Sequence, residues 1–265
     1  MIKQAFTAER LFFVWIAMAF LLSWSGSADA ANISRIRVAV ASNFIAPLKE
    51  IAKAFEDATG TRVLVSVGST GKLYAQIKNG APFDVFLAAN AREPKRLAAE
   101  GLGVARTRFT YARGRLALWC RTAHSSQQAR ACLNGQSARL AIANPRLAPY
   151  GQAARHALTA LQPSARVVMG ENISQAFQLV WSGNVPLGFV ALSQLKKRMD
   201  IAGAYWMVPA RLHNPIDQQA ILLSRAAGND DAQAFLTYLR GDQARGVIEG
   251  YGYDVPVSQQ MARVQ

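Results

Sequence analysis

The sequence predicts an α/β protein of two lobes, each a mainly parallel sheet flanked by helices. Three observations carry that prediction. Strand-like and helix-like pieces alternate from Ile36 onward with short connections, the order expected when helices cross back between parallel strands. The segment from Asp84 to Ala89 is apolar throughout after its aspartate, as a strand covered on both faces must be. After a less regular piece from Arg106 to Arg115, read as a crossing, the alternation restarts at Leu116 and marks a second lobe.

Taken in order, Ile36, Val38 and Val40 alternate as a strand, and Leu48, Ile51, Ala52 and Phe55 recur at helical spacing. Gly60 ends that helix as a C-cap. The next strand, from Arg62, places Val63, Val65 and Val67 on one face; a helix with Leu73 and Ile77 aligned follows until Asn79-Gly80-Ala81-Pro82 breaks it. A short helix from Glu93 to Glu100 completes the first run. In the second lobe, strands are expected from Leu116 to Cys120, Leu140 to Ala143, Val167 to Met169 and Val185 to Ala191. Its helices carry Ala154, Ala157, Leu158 and Leu161, and then Phe177, Val180 and Trp181. A strand from Ala220 to Leu223 and helices from Asp231 and Asp242 return the chain to the first lobe. The expected bounds are 31–112 with 213–265 for lobe I, and 113–212 for lobe II.

The first thirty residues stand outside this plan. Lys3 and Arg10 precede an apolar run from Leu11 to Trp24, and small residues lead to Ala28-Asp29-Ala30. That order reads as a cleavable secretory signal peptide, too short for a comfortable membrane span, and predicts export to the periplasm. The formal net charge is +14, so the protein attracts anions over a distance. Lys and Arg are scattered, with Lys196-Lys197-Arg198 as the one run, and without an aromatic-basic stripe nucleic acid is not an expected partner. Cys120 and Cys132 have eleven residues between them. In an oxidising compartment they suggest a disulfide worth about 3 kcal/mol in the chain-entropy model; two buried free thiols are the alternative.

The functional signal is a junction that recurs. Ser42-Asn43, Gly68-Ser69-Thr70-Gly71, Tyr150-Gly151 and Asn172-Ile173 each lie between a strand and a helix. Backbone N–H groups in the first turn of a helix lack an intrahelical acceptor and carry partial positive charge, so such junctions bind anions. If two lobes face each other with two junctions apiece, neutral donors converge on one oxyanion. Helix capping explains each junction taken singly.

Rival motifs fail on inspection. A Walker loop at Gly68 to Lys72 would need Gly in place of Ser66 and Ser or Thr in place of Leu73. A nucleophile elbow at Ser69 is excluded by Val67. His124, His156 and His213 show no zinc spacing, and paired catalytic carboxylates are not evident.

Several stretches in the right order resemble the periplasmic molybdate-binding proteins of ABC importers. They are Ala39-Val40-Ala41-Ser42-Asn43-Phe44, Val67 to Leu73 followed by Gly80 to Phe86, Asn144-Pro145 with Pro149-Tyr150-Gly151, Glu171-Asn172-Ile173, and Pro186 to Ser193. The resemblance implies a type II binding-protein fold with its ligand in the cleft between lobes. It also implies oxyanion contacts at Ser42, Asn43 and Ser69 and at the backbone of Tyr150 and Ile173. Some members supply a tyrosine hydroxyl where this chain has Ala191, and Asn43 is the candidate replacement donor. The expected role is a monomeric, non-enzymatic receptor without cofactor. It would capture molybdate or tungstate, with no direct protein ligand to the metal, and deliver it to a membrane permease. The alternatives are a receptor of the same fold for another tetrahedral oxyanion such as sulfate, and an exported enzyme acting on phosphorylated or sulfated substrates.

Overall fold

The computed structural model describes residues 34–135, 139–198 and 200–256; the expected signal peptide lies outside the described residues. Within them are two five-stranded sheets. The first contains β1 (Arg35–Ala41), β2 (Arg62–Gly68), β3 (Val85–Ala88), β4 (Phe109–Gly114) and β10 (Ile216–Leu222), in the order β2-β1-β3-β10-β4. The second contains β5 (Leu116–Cys120), β6 (Arg139–Ala143), β7 (Arg166–Gly170), β8 (Leu187–Ala191) and β9 (Ala204–Met207), in the order β7-β6-β8-β5-β9. The helices are α1 (Ile45–Thr59), α2 (Thr70–Lys78), α3 (Arg92–Ala99), α4 (Ser126–Ala131), α5 (Pro149–Leu161), α6 (Ile173–Trp181), α7 (Leu192–Leu195), α8 (Asp230–Arg240) and α9 (Asp242–Gly250).

Apolar alternation along β1 builds the first lobe. Val38 and Val40 enter one core with Phe44, Leu48, Ile51 and Phe55 of the following segment, and Phe235 and Leu236 of α8 close it. Ala39 faces the other way, toward Leu73 and Ile77 of α2 and Leu97 of α3. The sheet is thus covered on both faces, as the apolar β3 requires. Phe55 packs edge-on against Phe235 at 5.3 Å and Tyr238 at 5.5 Å; truncating such a ring typically costs about 3–5 kcal/mol. In the second lobe Trp119 of β5 stacks on Phe177 of α6 at 5.2 Å.

Four details depart from the sequence reading. Each sheet has two parallel and two antiparallel pairings, because β10 and β5 run against their neighbours. The stretch read as an irregular crossing contains β4, whose outward Arg113 and terminal Gly114 disguise it; the expected boundary after residue 112 falls inside this strand. The half-buried β9 is apolar but only four residues long, and β10 begins four residues before Ala220 because Asp217, Gln218 and Gln219 interrupt its apolar pattern. Val67 is 48% exposed because β2 is an edge strand.

The chain passes from the first sheet to the second across Arg115 alone, and returns between Met207 and Ile216. Cys120, at the end of β5, is disulfide-bonded to Cys132 in the turn after α4, with Cα atoms 6.6 Å apart.

Candidate oxyanion site

Strand register sets the site. Ala41 pairs with Gly68 in lobe I, so Ser42 and Ser69 leave the sheet side by side. Ala143 pairs with Gly170 in lobe II, and the loops after them lead into α5 and α6. Parallel neighbours end on the same sheet edge, where open α/β sheets bind ligands. The two edges face one another, and Ser42, Asn43, Ser69, Tyr150 and Ile173 all line one cavity of about 10 Å³. That is far below the roughly 300–1,000 Å³ of sites for drug-sized ligands.

Each wall supplies two helix starts. Ser42 opens the 3-10 turn that runs into α1, Ser69 precedes α2, Tyr150 is the second residue of α5, and Ile173 is the first of α6. Gly151 makes the α5 approach possible: a Cβ there would lie 2.3 Å from the carbonyl oxygen of Ala143.

Capping, which would account for the serines without a ligand, is not what they do. Ser69 occupies the N-cap position of α2 without a cap bond, and its buried Oγ has no hydrogen-bond partner among the described residues. A buried polar group left unpaired costs about 1–3 kcal/mol, which fits a donor kept for a ligand. Ser42 Oγ donates across the lobes to Asn172 Oδ1 at 3.3 Å, a weak contact for O–H···O. Asn172 is the true cap: its Oδ1 already accepts from the N–H groups of Ser174 and Gln175 at 3.0 and 3.1 Å.

Three carbonyl acceptors at the cleft are covered. Ser174 Oγ donates to the Ser42 carbonyl at 3.2 Å, Ser193 Oγ to the Asn43 carbonyl at 3.0 Å, and Gly71 N–H to the Leu147 carbonyl at 2.9 Å. No residue lining the cavity is charged. The nearest ion pair joins Lys72 of lobe I to Glu171 of lobe II at 3.0 Å and is partly exposed. Among the described residues no cluster of His, Cys, Asp or Glu could hold a metal ion.

The Asn43 side chain is turned away from the role of a ligand donor. Its Nδ2 donates to Gln218 Oε1 at 2.8 Å and to Tyr253 OH at 3.0 Å, so both its N–H groups are committed behind the cavity. That leaves the backbone N–H of Asn43, in the first helical turn, as its candidate donor in place of a hydroxyl at Ala191. Beyond Asn43 lies a neutral buried network. Tyr111 OH donates to Gln218 Oε1 at 3.1 Å, Gln218 Nε2 to Tyr150 OH at 3.4 Å, and Tyr253 OH lies 2.9 Å from Ser193 Oγ. Burial pushes Tyr111 and Tyr150 well above the usual tyrosine range and Tyr253 up to about 12, so all three stay uncharged at neutral pH. Sequence reasoning missed Gln218 and Tyr111; the available signal was a glutamine in register with the inward Ile216 and Ala220 of the same strand.

Two α/β lobes that close helix starts over an uncharged cavity define a solute-binding protein. The description "Bacterial extracellular solute-binding protein" matches residues 36–254. The chain is 46% identical over 232 residues to the molybdate-binding protein ModA of Azotobacter vinelandii, covering 85% of this chain and 92% of that protein. It is 40% identical over 234 residues to the ModA of Rhodobacter capsulatus, covering 86% and 91% of the two chains. Among solved structures, a periplasmic molybdate-binding protein of Azotobacter vinelandii superposes with a TM-score of 0.76 at 35% identity, covering 83% of this chain and 99% of that one. The chain belongs to the bacterial extracellular solute-binding proteins, in their molybdate-binding branch.

Proposed function

We propose that this protein captures molybdate or tungstate between its lobes and delivers it to the membrane permease of an ABC importer. The observation that carries the proposal is the buried, unpartnered hydroxyl of Ser69 in a small cavity whose lining residues are uncharged. A fully ionised oxyanion offers only acceptors, and the cavity offers donors. No carboxylate lines it to favour a protonated anion such as hydrogen phosphate, and its size is the basis for separating molybdate and tungstate from sulfate. The molybdate-binding relatives support the same ligand class.

Export by a cleavable signal peptide in residues 1–30, a periplasmic location and a monomeric state belong to this reading. So do binding without catalysis and the absence of a cofactor. Among the described residues no helix is long and apolar enough to cross a membrane. The +14 charge speeds capture more than it holds the ligand, since charges beyond about 8 Å are screened at physiological salt.

Calorimetric titration with molybdate, tungstate, sulfate and phosphate tests the proposal. Tight binding of the first two and weak binding of the others is expected. Tight sulfate or phosphate binding with weak molybdate binding overturns it.

A further inference from the structure

We propose that Gln218 is a positioning residue that couples lobe closure to the oxyanion site, by tying Asn43 of lobe I to Tyr150 of lobe II through one side chain. The inference rests on the oxyanion reading above. Gln218 is fully buried on β10. Its Oε1 accepts from Asn43 Nδ2 at 2.8 Å and from Tyr111 OH at 3.1 Å, while its Nε2 donates to Tyr150 OH at 3.4 Å. Asn43 and Tyr150 both line the cavity, so Gln218 touches one residue of each wall without lining the cavity itself.

Two breaks in regular structure converge on this contact. The β10–β4 register shifts between Gln218 and Gln219, and such a bulge re-aims side chains. Gly114, the last residue of β4, supplies the space: a Cβ there would lie 2.1 Å from Tyr150 OH and 2.9 Å from Gln218 Nε2. Gly114 stands where the chain leaves lobe I, and β10 begins where it returns. The contact therefore sits beside both crossings, where hinge motion between lobes must be absorbed. The bond to Tyr150 is the longest of the three and the only one that spans the lobes, so it is the one that parts on opening. Once it parts, the Gln218 amide loses its one tie to lobe II, while Tyr111 OH and Asn43 Nδ2 still hold its Oε1. Closure thus restores the third bond to the amide that backs the first helical turn of lobe I, at the moment the lobe II donors arrive.

The surroundings make the idea testable by charge. The titratable groups facing Gln218 are Tyr111 of β4, Tyr150 of α5 and Tyr253 of the C-terminal segment, all kept neutral by burial. Arg113 and Asp217, on the same two strands, are paired with each other at 2.6 Å and partly exposed. A Gln218→Glu side chain is isosteric. When protonated it still accepts from Asn43 and donates to Tyr150; when ionised it places a buried negative charge behind the anion. Burial raises a carboxyl pKa by up to about 3–5 units, which brings the change into an accessible pH range.

The experiment is a molybdate titration of wild type and Gln218→Glu from about pH 5.5 to 9, with stopped-flow dissociation rates for Gln218→Glu and Tyr150→Phe. Wild-type affinity is expected to stay flat, while Gln218→Glu approaches it at low pH and falls more than about tenfold at high pH. Tyr150→Phe keeps the backbone N–H of that residue but removes one end of the bridge together with the hydroxyl's bond to Tyr253, and is expected to release molybdate several-fold faster. If wild type binds molybdate and Gln218→Glu tracks it at every pH, the inference fails and the functional reading stands. If Gln218→Glu does not fold, an unchanged dissociation rate in Tyr150→Phe overturns the inference. A wild type that binds no molybdate overturns the functional reading.

Discussion

The two walls of the cavity are built on sheets with the same pattern of parallel and antiparallel pairings and both present helix starts, yet only lobe I adds hydroxyls to them. In lobe I the junctions bring hydroxyls whose positions are weakly fixed: Ser69 Oγ has no partner among the described residues and Ser42 Oγ holds only a 3.3 Å contact. In lobe II the side chains are committed to the fold. Asn172 caps α6, Pro149 opens α5, and the Tyr150 hydroxyl points back to Gln218. What lobe II can offer the ligand is main-chain N–H. Hydroxyls can rotate toward an anion and helix-start amides cannot, so lobe II sets the size of the site and lobe I adapts to what enters.

The largest expected effect breaks the rigid wall. In Gly151→Ala the new Cβ meets the Ala143 carbonyl oxygen at 2.3 Å, and both partners are backbone. The start of α5 must shift, carrying the Tyr150 N–H with it. Overpacking of this kind costs about 1–3 kcal/mol in stability, and the misplaced donor is expected to weaken molybdate binding by more than tenfold. The matching change in lobe I, Gly71→Ala, meets Leu147 O at 3.1 Å and should do less. Equal affinity losses in the two variants, measured by titration beside thermal melts, would remove the distinction between a rigid and an adaptable wall.

Next in size is Ser69→Ala, expected to weaken molybdate binding by about 1.5–3 kcal/mol, the range for hydrogen bonds to charged groups. It should leave the ligand-free melting temperature unchanged or slightly higher, because it removes a buried hydroxyl that has no partner. A capping serine would behave in the opposite way, losing stability and not affinity. Ser42→Ala should cost less affinity, about 1 kcal/mol, since its hydroxyl exchanges one hydrogen bond for another. A melting temperature that falls in Ser69→Ala with affinity intact would return Ser69 to the role of a cap.

How much of this was legible in the sequence follows the distance over which each feature is decided. The placement of Ser42, Ser69, Tyr150 and Ile173 at strand–helix junctions was readable because a strand followed by a small or polar residue and a helix is a local pattern, and register between neighbouring parallel strands brings the junctions together. The commitment of the Asn43 side chain was not legible because its partners, Gln218 and Tyr253, are 175 and 210 residues away. Those partners depend on β10 inserting between β3 and β4, a pairing that no local periodicity encodes. β4 and β9 were lost at the outer edge of each sheet, opposite β2 and β7: Thr110, Arg113 and Gly114 interrupt the apolar pattern of β4, and β9 is only four residues long.

The smallest expected effect lies at the rim. Lys72 reaches across the cleft to Glu171 at 3.0 Å, with side chains 50% and 36% exposed. Exposed ion pairs contribute about 0.2–1 kcal/mol and are screened by salt. Lys72→Ala should therefore change molybdate affinity by less than about 1 kcal/mol at low ionic strength and by nothing measurable near 1 M salt, where the Debye length is about 3 Å. The effect should fall mainly on association, because losing the cation leaves the Glu171 carboxylate to repel an approaching oxyanion. Association and dissociation rates at two salt concentrations separate this from a role in holding the lobes shut. A salt-independent rise in the dissociation rate would make the pair a clasp, and the rigid wall would then owe its position partly to a charge on lobe I.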